Sequence, residues 1–125
     1  MLPLEPGGRL ARGQQFEALA CRHLEAHGLS LLARNFRARG GEVDLVMADR
    51  GTVVFVEVRS RAHARLVDPA ATVTPMKQHR VIRAAHWFLA RHSHLSGLPC
   101  RFDVVGITGS LEHNELTWLK AAFTA

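Results

Sequence analysis

The sequence predicts one α/β domain, a mixed β-sheet covered by helices, on three observations. Apolar residues recur at helical spacing through Phe16, Leu19, Ala20 and Leu24. Two alternating runs, Glu42 to Ala48 and Thr52 to Arg59, stand either side of Asp49-Arg50-Gly51, the pattern of a hairpin. Thr74-Pro75 then opens a second helical stretch, threonine as N-cap and proline at the first helical position. With 125 residues, 47% hydrophobic and 22% charged, the chain is long enough to bury a core without staples and too apolar for wholesale disorder.

The elements follow in order. Residues 1–9 hold two prolines and two glycines and read as a loose arm, leaving 10–125 as a single domain. The first helix runs from Leu10 to a stop at Gly28. Leu29 to Phe36 reads as a strand and Arg37-Ala38-Arg39-Gly40-Gly41 as a turn. The hairpin comes next, then an irregular stretch from Ser60 to Val73. The second helix extends to about His94, with Gly97 and Pro99 beyond it as stops. Arg101 to Ile107 is a strand, Thr108-Gly109-Ser110 a turn, and Glu115 to Leu119 a short final strand. The expected order is αβββαβ(β), a central mixed sheet flanked by helices.

Composition narrows the function classes. No apolar run approaches the roughly 18 residues of a membrane span. Met1 to Pro6 lacks the basic and apolar segments of a secretory leader. Cys21 and Cys100 form no disulfide ladder or Cys-x-x-Cys clamp and read as two reduced thiols. A cytoplasmic protein without a membrane partner is expected. Lysine plus arginine number 16 against 11 acids, a net charge of +5. The pI is near 10.6, and only Lys77 and Lys120 are lysine. Such basicity fits a polyanion such as nucleic acid, and it also fits a plain preference for arginine.

The informative anomaly is acid where a core should be. On the first helix Glu17 falls inside the arc of Phe16, Leu19, Ala20, Leu24 and Leu10. A buried carboxylate is costly unless paired or bound to a metal, so Glu17 either reaches solvent or an arginine at the helix margin, or joins a site. In the hairpin, a two- or four-residue loop around Arg50-Gly51 sets Asp44 across from Glu57 and Glu42 across from Arg59. A three-residue loop sends Asp44 and Glu57 to opposite faces. Two opposed carboxylates in central, apolar strands need a cation between them. Either a hard divalent ion, Mg2+ or Mn2+, is held by Asp44 and Glu57, or Arg59 or Arg61 balances them as a structural ion pair.

These residues also carry a resemblance. Gly13-x-x-x-Glu17-x-x-Ala20, Gly28-x-x-x-Leu32-x-x-Asn35-x-Arg37, Gly41-Glu42-Val43-Asp44-Leu45, Val54-Phe55-Val56-Glu57-Val58-Arg59, Lys77-x-x-Arg80-Val81-Ile82 and Arg101-Phe102-Asp103-Val104-Val105 follow in order through most of the chain. Together they resemble the YraN-like family of uncharacterised bacterial proteins. That family is similar to the restriction-endonuclease-like PD-(D/E)xK nucleases, including archaeal Holliday-junction resolvases. The resemblance implies a restriction-endonuclease-like fold and a metal-dependent hydrolase acting on DNA, including branched DNA. Asp44 matches the metal-binding aspartate, Glu57 the acid of the (D/E)xK element, and Glu17 the helix-one glutamate of resolvase-like members. The departure is Arg59, where the nuclease motif has lysine. Arginine stays charged and cannot serve as a base, but it can clamp a phosphate and stabilise its developing charge. Resolvases act as dimers on the two symmetric cuts of a junction, so a homodimer is implied, with Trp118 and Phe123 the apolar residues at hand. The alternative is a catalytically silent nuclease-fold module that binds nucleic acid or a protein.

The second helix has two faces. Val81, Ile82, Ala85, Phe88, Leu89 and Leu95 cluster on one side, and Arg80, Arg83, Trp87 and Arg91 on the other. No carboxylate occurs from Pro69 to Phe102. An arginine face with one aromatic suits phosphates and exposed bases, and also suits plain solvation. With Lys77 at the helix start and Arg37, Arg39 and Arg61 flanking the hairpin, these are the candidate nucleic-acid contacts. The eight histidines show no zinc spacing. No phosphate-cradling glycine loop or nucleophile elbow is present.

Overall fold

The computed structural model describes residues 8–61 and 69–125, with side chains described from Arg12 to Arg61 and from Ala71 onward. The order is α1 (Gly8–Ala26), β1 (Ser30–Ala38), β2 (Gly41–Asp49), β3 (Thr52–Arg61), a 3-10 turn at Pro69–Thr72, α2 (Pro75–Arg91), β4 (Cys100–Gly109) and β5 (Asn114–Phe123). This is the expected αβββαββ order. Most of the expected arm, residues 1–7, lies outside the described residues, as does 62–68 of the irregular stretch.

The five strands lie in chain order, β1-β2-β3-β4-β5. β3 and β4 are parallel, and the other neighbours are antiparallel. The parallel pair requires a crossover, which α2 supplies. Alternation along β3 sorts the core into two layers. Val54 and Val56 pack with Ala20, Cys21 and Leu24 of α1. Val53 and Phe55 pack with Val81, Ala84, Ala85 and Phe88 of α2. The helices therefore cover opposite faces of the sheet.

Local chemistry sets the boundaries. α1 ends where Gly28 takes φ +97. There Gly28 N–H donates to Glu25 O and Leu29 N–H to Leu24 O, a Schellman cap. Arg50 and Gly51 both take positive φ, 51° and 85°, so the hairpin loop has two residues. Thr74 caps α2, its hydroxyl accepting from Lys77 N–H at 3.2 Å.

Several boundaries correct the expectations. The β1–β2 turn is only Arg39-Gly40, because Ala38 pairs with Gly41. α2 stops at Arg91, not His94. His92 leaves helical geometry at φ −128, ψ 70, and its ring stacks on Phe88 at 4.1 Å between centroids. A 3-10 turn, Ser93–Leu95, follows. β5 runs to Phe123, since its register on β4 continues from Gly109↔Asn114 to Phe102↔Phe123 across a bulge.

Candidate acid site and basic surface

The two-residue loop selects the register in which Asp44 follows Leu45↔Val56 towards Glu57. The ladder ends at that pair, and side chains take over the backbone groups beyond it. Asp44 N–H donates to Glu57 Oε2 at 3.2 Å, and Val58 N–H donates to Asp44 Oδ2 at 2.8 Å. The acids thus occupy the fork where β2 and β3 part. Glu42 does not complete the expected pairing with Arg59. It turns to α2, meeting Lys77 Nζ at 3.1 Å and Arg80 Nη2 at 3.4 Å.

α1 supplies Glu17 from one face. Glu17 neighbours Asp44, which raises its carboxyl, and Asn35, which favours its ionised form. Asn35 sits between the pairs Arg34↔Leu45 and Phe36↔Val43 and takes φ 47, a left-handed conformation asparagine tolerates. α2 supplies Lys77 from the other face. Its Nζ lies 3.5 Å from Glu57 Oε1. That oxygen is buried and has no hydrogen-bond partner, and Glu57 as a whole is 1% exposed.

Close backbone approach makes this reach possible. A Cβ on Gly41 would stand 2.5 Å from Ala84 N and 2.7 Å from Arg80 O. Only glycine lets the start of β2 lie directly on α2. The next residue, Glu42, then meets the first turn of the helix.

The electrostatics follow from burial. Burial, then the charge of Asp44, pushes Glu57 from 4.5 up to about 8, against the pull of Lys77. Burial and Asp44 likewise push Glu17 up to about 7. Asp44 is raised by burial, although the Val58 N–H and Lys77 work against the rise. Glu42 is lowered, first by its hydrogen bond with Lys77. Burial opposes the charge on Lys77, but Glu57, Glu42 and Asp44 outweigh it and raise the ammonium above its ordinary value. At neutral pH Glu57 therefore retains its proton, beside a charged lysine.

The donor set is all oxygen and suits a hard divalent cation, and Glu57 Oε1, which meets Lys77 only at 3.5 Å and accepts no hydrogen bond, leaves a lone pair for one. Among the described residues no three His, Cys, Asp or Glu side chains already form a metal-holding group. Asp44 and Glu57 instead each accept from a backbone amide, and Glu42 and Glu57 meet Lys77.

Arg59 is placed apart from this contact set, its Nε donating to Thr72 Oγ1 at 3.2 Å. Arg37, Arg39, Arg80, Arg83 and Arg91 are all exposed. The tight approach of Gly40 to the Arg83 guanidinium groups the β1–β2 turn with the outer face of α2. Arg91 lies over Phe36 at 5.6 Å and over Trp87 at 5.5 Å, and Trp87 is 40% exposed. Arg61 is exposed elsewhere, lining a cleft of about 350 Å³ with Arg12, Phe16, Gly109 and Glu112.

Other residues have internal roles. Asp103 is fully buried and accepts from Arg101, from Trp118 Nε1 at 2.9 Å and from Ala121 N–H at 2.9 Å. Phe123 stacks on Phe102 at 5.2 Å. Trp118 and Phe123 are thus engaged within the sheet. Gln78 donates to Val73 O at 3.0 Å.

The sequence pattern marks Lys77 as a phosphate contact and does not show its place among the acids. One signal pointed there. Lys77 is the third residue of α2, where the helix dipole disfavours a cation, and no acid occupies that first turn to offset it.

Fold and site together define a small α/β domain whose sheet forks around a cluster of acids with one lysine. The comparisons place it among relatives. The uncharacterised protein family UPF0102 matches residues 16–107, and the chain belongs to that family. A UPF0102 protein of Nitrosococcus oceani is 45% identical over 120 residues, covering 96% of this chain and 97% of the relative. One of Coxiella burnetii is 46% identical over 110 residues, covering 88% and 89%. One of Pseudomonas putida is 49% identical over 112 residues, covering 89% and 90%. Among the described residues no helix is long and apolar enough to cross a membrane.

Proposed function

We propose that this chain is a cytoplasmic, restriction-endonuclease-like protein that binds DNA and hydrolyses its phosphodiester bonds with Mg2+ or Mn2+, branched DNA being the favoured substrate. The observation that carries the reading is the fork at Asp44 and Glu57. Two carboxylates converge where strands part, one keeps a buried oxygen without a hydrogen bond, and a half-buried glutamate and a lysine approach from opposite faces. With the Lys77 ammonium at 3.5 Å and no closer donor, that oxygen keeps a lone pair for a metal ion.

In this reading Asp44 and Glu57 hold the ion, and Glu17 stands beside Asp44 as a supporting acid. A bound divalent cation would polarise a phosphoryl oxygen and favour ionisation of a water. Hydrolysis adds the water's OH to phosphorus as one ester P–O bond breaks, and the leaving oxygen takes a proton from solvent. Arg37, Arg39, Lys77, Arg80, Arg83 and Arg91 form the basic surface on the α2 side, Trp87 offers a stacking face, and Arg61 lies beside the α1 cleft. Arg59, beyond Glu57 on β3, stands at the motif's lysine position, with its Nε bonded to Thr72 Oγ1. A homodimer fits a junction with two symmetric cuts.

The test is incubation with labelled single-stranded, duplex, flap and four-way-junction DNA in Mg2+ or Mn2+, against chelator and beside Asp44→Ala. Metal-dependent cleavage that Asp44→Ala abolishes is expected. Intact substrates with either metal, while DNA binding persists, would establish the silent module instead.

A further inference from the structure

We propose that Lys77, not Arg59, is the cation built into the acid site, the group that touches the phosphate held there. The inference rests on the proposed phosphodiesterase reading and names the residue that reading lacks on β3.

The geometry carries it. Lys77 Nζ is 3.5 Å from Glu57 Oε1 and 3.1 Å from Glu42 Oε2, whereas the Arg59 Nε is committed to Thr72 Oγ1. Three features fix the lysine's origin. Thr74 holds the Lys77 amide at 3.2 Å. Pro75 starts the helix, and Gly41 lets β2 lie against its backbone. The lysine side chain is 25% exposed, so its head is open to an incoming phosphate while Glu57 behind it is sealed at 1%. A lysine ammonium is a compact point charge on a flexible stem and can swing between a carboxylate and a phosphate oxygen. It acts here as a fixed charge and transfers no proton.

The charge on Lys77 answers Glu57 and Asp44 as well as Glu42. It opposes the helix dipole, and Arg80 already reaches Glu42. A lysine placed there to neutralise Glu42 alone would have no need to approach Glu57.

Three variants decide the matter: Lys77→Met, Lys77→Gln and Arg59→Met, each checked for folding by thermal melting. Lys77→Gln stands in wherever Lys77→Met does not fold. Two quantities are read: single-turnover cleavage of junction DNA, and Mn2+ affinity at pH 8 by electron paramagnetic resonance. Losing Lys77 should slow cleavage about 100-fold, the size of removing one preorganised donor. DNA affinity measured in Ca2+ should stay within about threefold, since many other arginines still meet phosphates. It should also tighten Mn2+ binding about fivefold or more, because a charge competing for Glu57 is gone. Arg59→Met should slow cleavage less than about tenfold and leave Mn2+ affinity unchanged. An Arg59→Met loss equal to or larger than that of the lysine variants overturns the assignment, as does Mn2+ affinity that Lys77 does not alter. Should the wild type cleave nothing, the phosphodiesterase reading fails, and the Mn2+ comparison alone decides whether Lys77 is the site's cation.

Discussion

Glu57→Gln is expected to make the protein more stable, by an amount that grows with pH. Glu57 is 1% exposed, faces Asp44 from β2 and Lys77 from α2, and is raised from 4.5 to about 8. A carboxyl raised on folding binds its proton more tightly in the folded state. Its contribution is fully present below about pH 4.5 and is lost as pH rises through about 8. Glutamine mimics the protonated acid in shape and charge, so it removes this loss. At 1.36 kcal/mol per pKa unit the gain is about 1 kcal/mol at pH 5, about 3 at pH 7 and about 5 at pH 9. The upper values shrink where Lys77 loses an ion-pair partner, though Glu42 still holds it at 3.1 Å. Urea unfolding of both proteins at those three pH values measures the difference. A Glu57→Gln protein less stable than wild type at pH 9, or a difference flat with pH, would refute the claim that burial holds a proton on Glu57.

Two further outcomes follow from the same structure. Affinity for duplex or junction DNA should fall steeply with salt, because each phosphate met by Arg37, Arg39, Arg80, Arg83 or Arg91 releases counterions; a log–log titration gives the slope, and no affinity for any nucleic acid at low salt would point to a protein partner. Gly41→Ala should destabilise the fold by about 1–3 kcal/mol and displace Lys77 from Glu57, since its Cβ would meet Ala84 N at 2.5 Å; unchanged urea stability would contradict the close packing of β2 on α2.

The parts of this molecule legible in its sequence are those set by short-range chemistry. Asp49-Arg50-Gly51 marks a hairpin loop, and once Arg50 and Gly51 alone form it, the period of two brings Asp44 towards Glu57. Glu17 is readable because helical spacing places it within an apolar arc. Thr74-Pro75 announces α2 by its capping chemistry alone. Ends set by tertiary contact are less readable. α2 stops three residues early because the His92 ring stacks on Phe88, and β5 outruns its apolar pattern because β4 is there to pair with it. The contact between Lys77 and Glu42 spans 35 residues and depends on how Gly41 meets the helix backbone, which no local pattern encodes. The same holds for the bond from Val58 N–H to Asp44, which exists only because the strands part there.

The central claim, that Asp44 and Glu57 are ligands of a divalent cation, is tested most directly by anomalous scattering from crystals soaked in Mn2+ at pH 8. One anomalous peak touching a carboxylate oxygen of each is expected, with Glu57 Oε1 turned from Lys77 towards the ion. No peak in the fork, with Asp44 still bonded to the Val58 amide and Glu57 to the Asp44 amide, would contradict it.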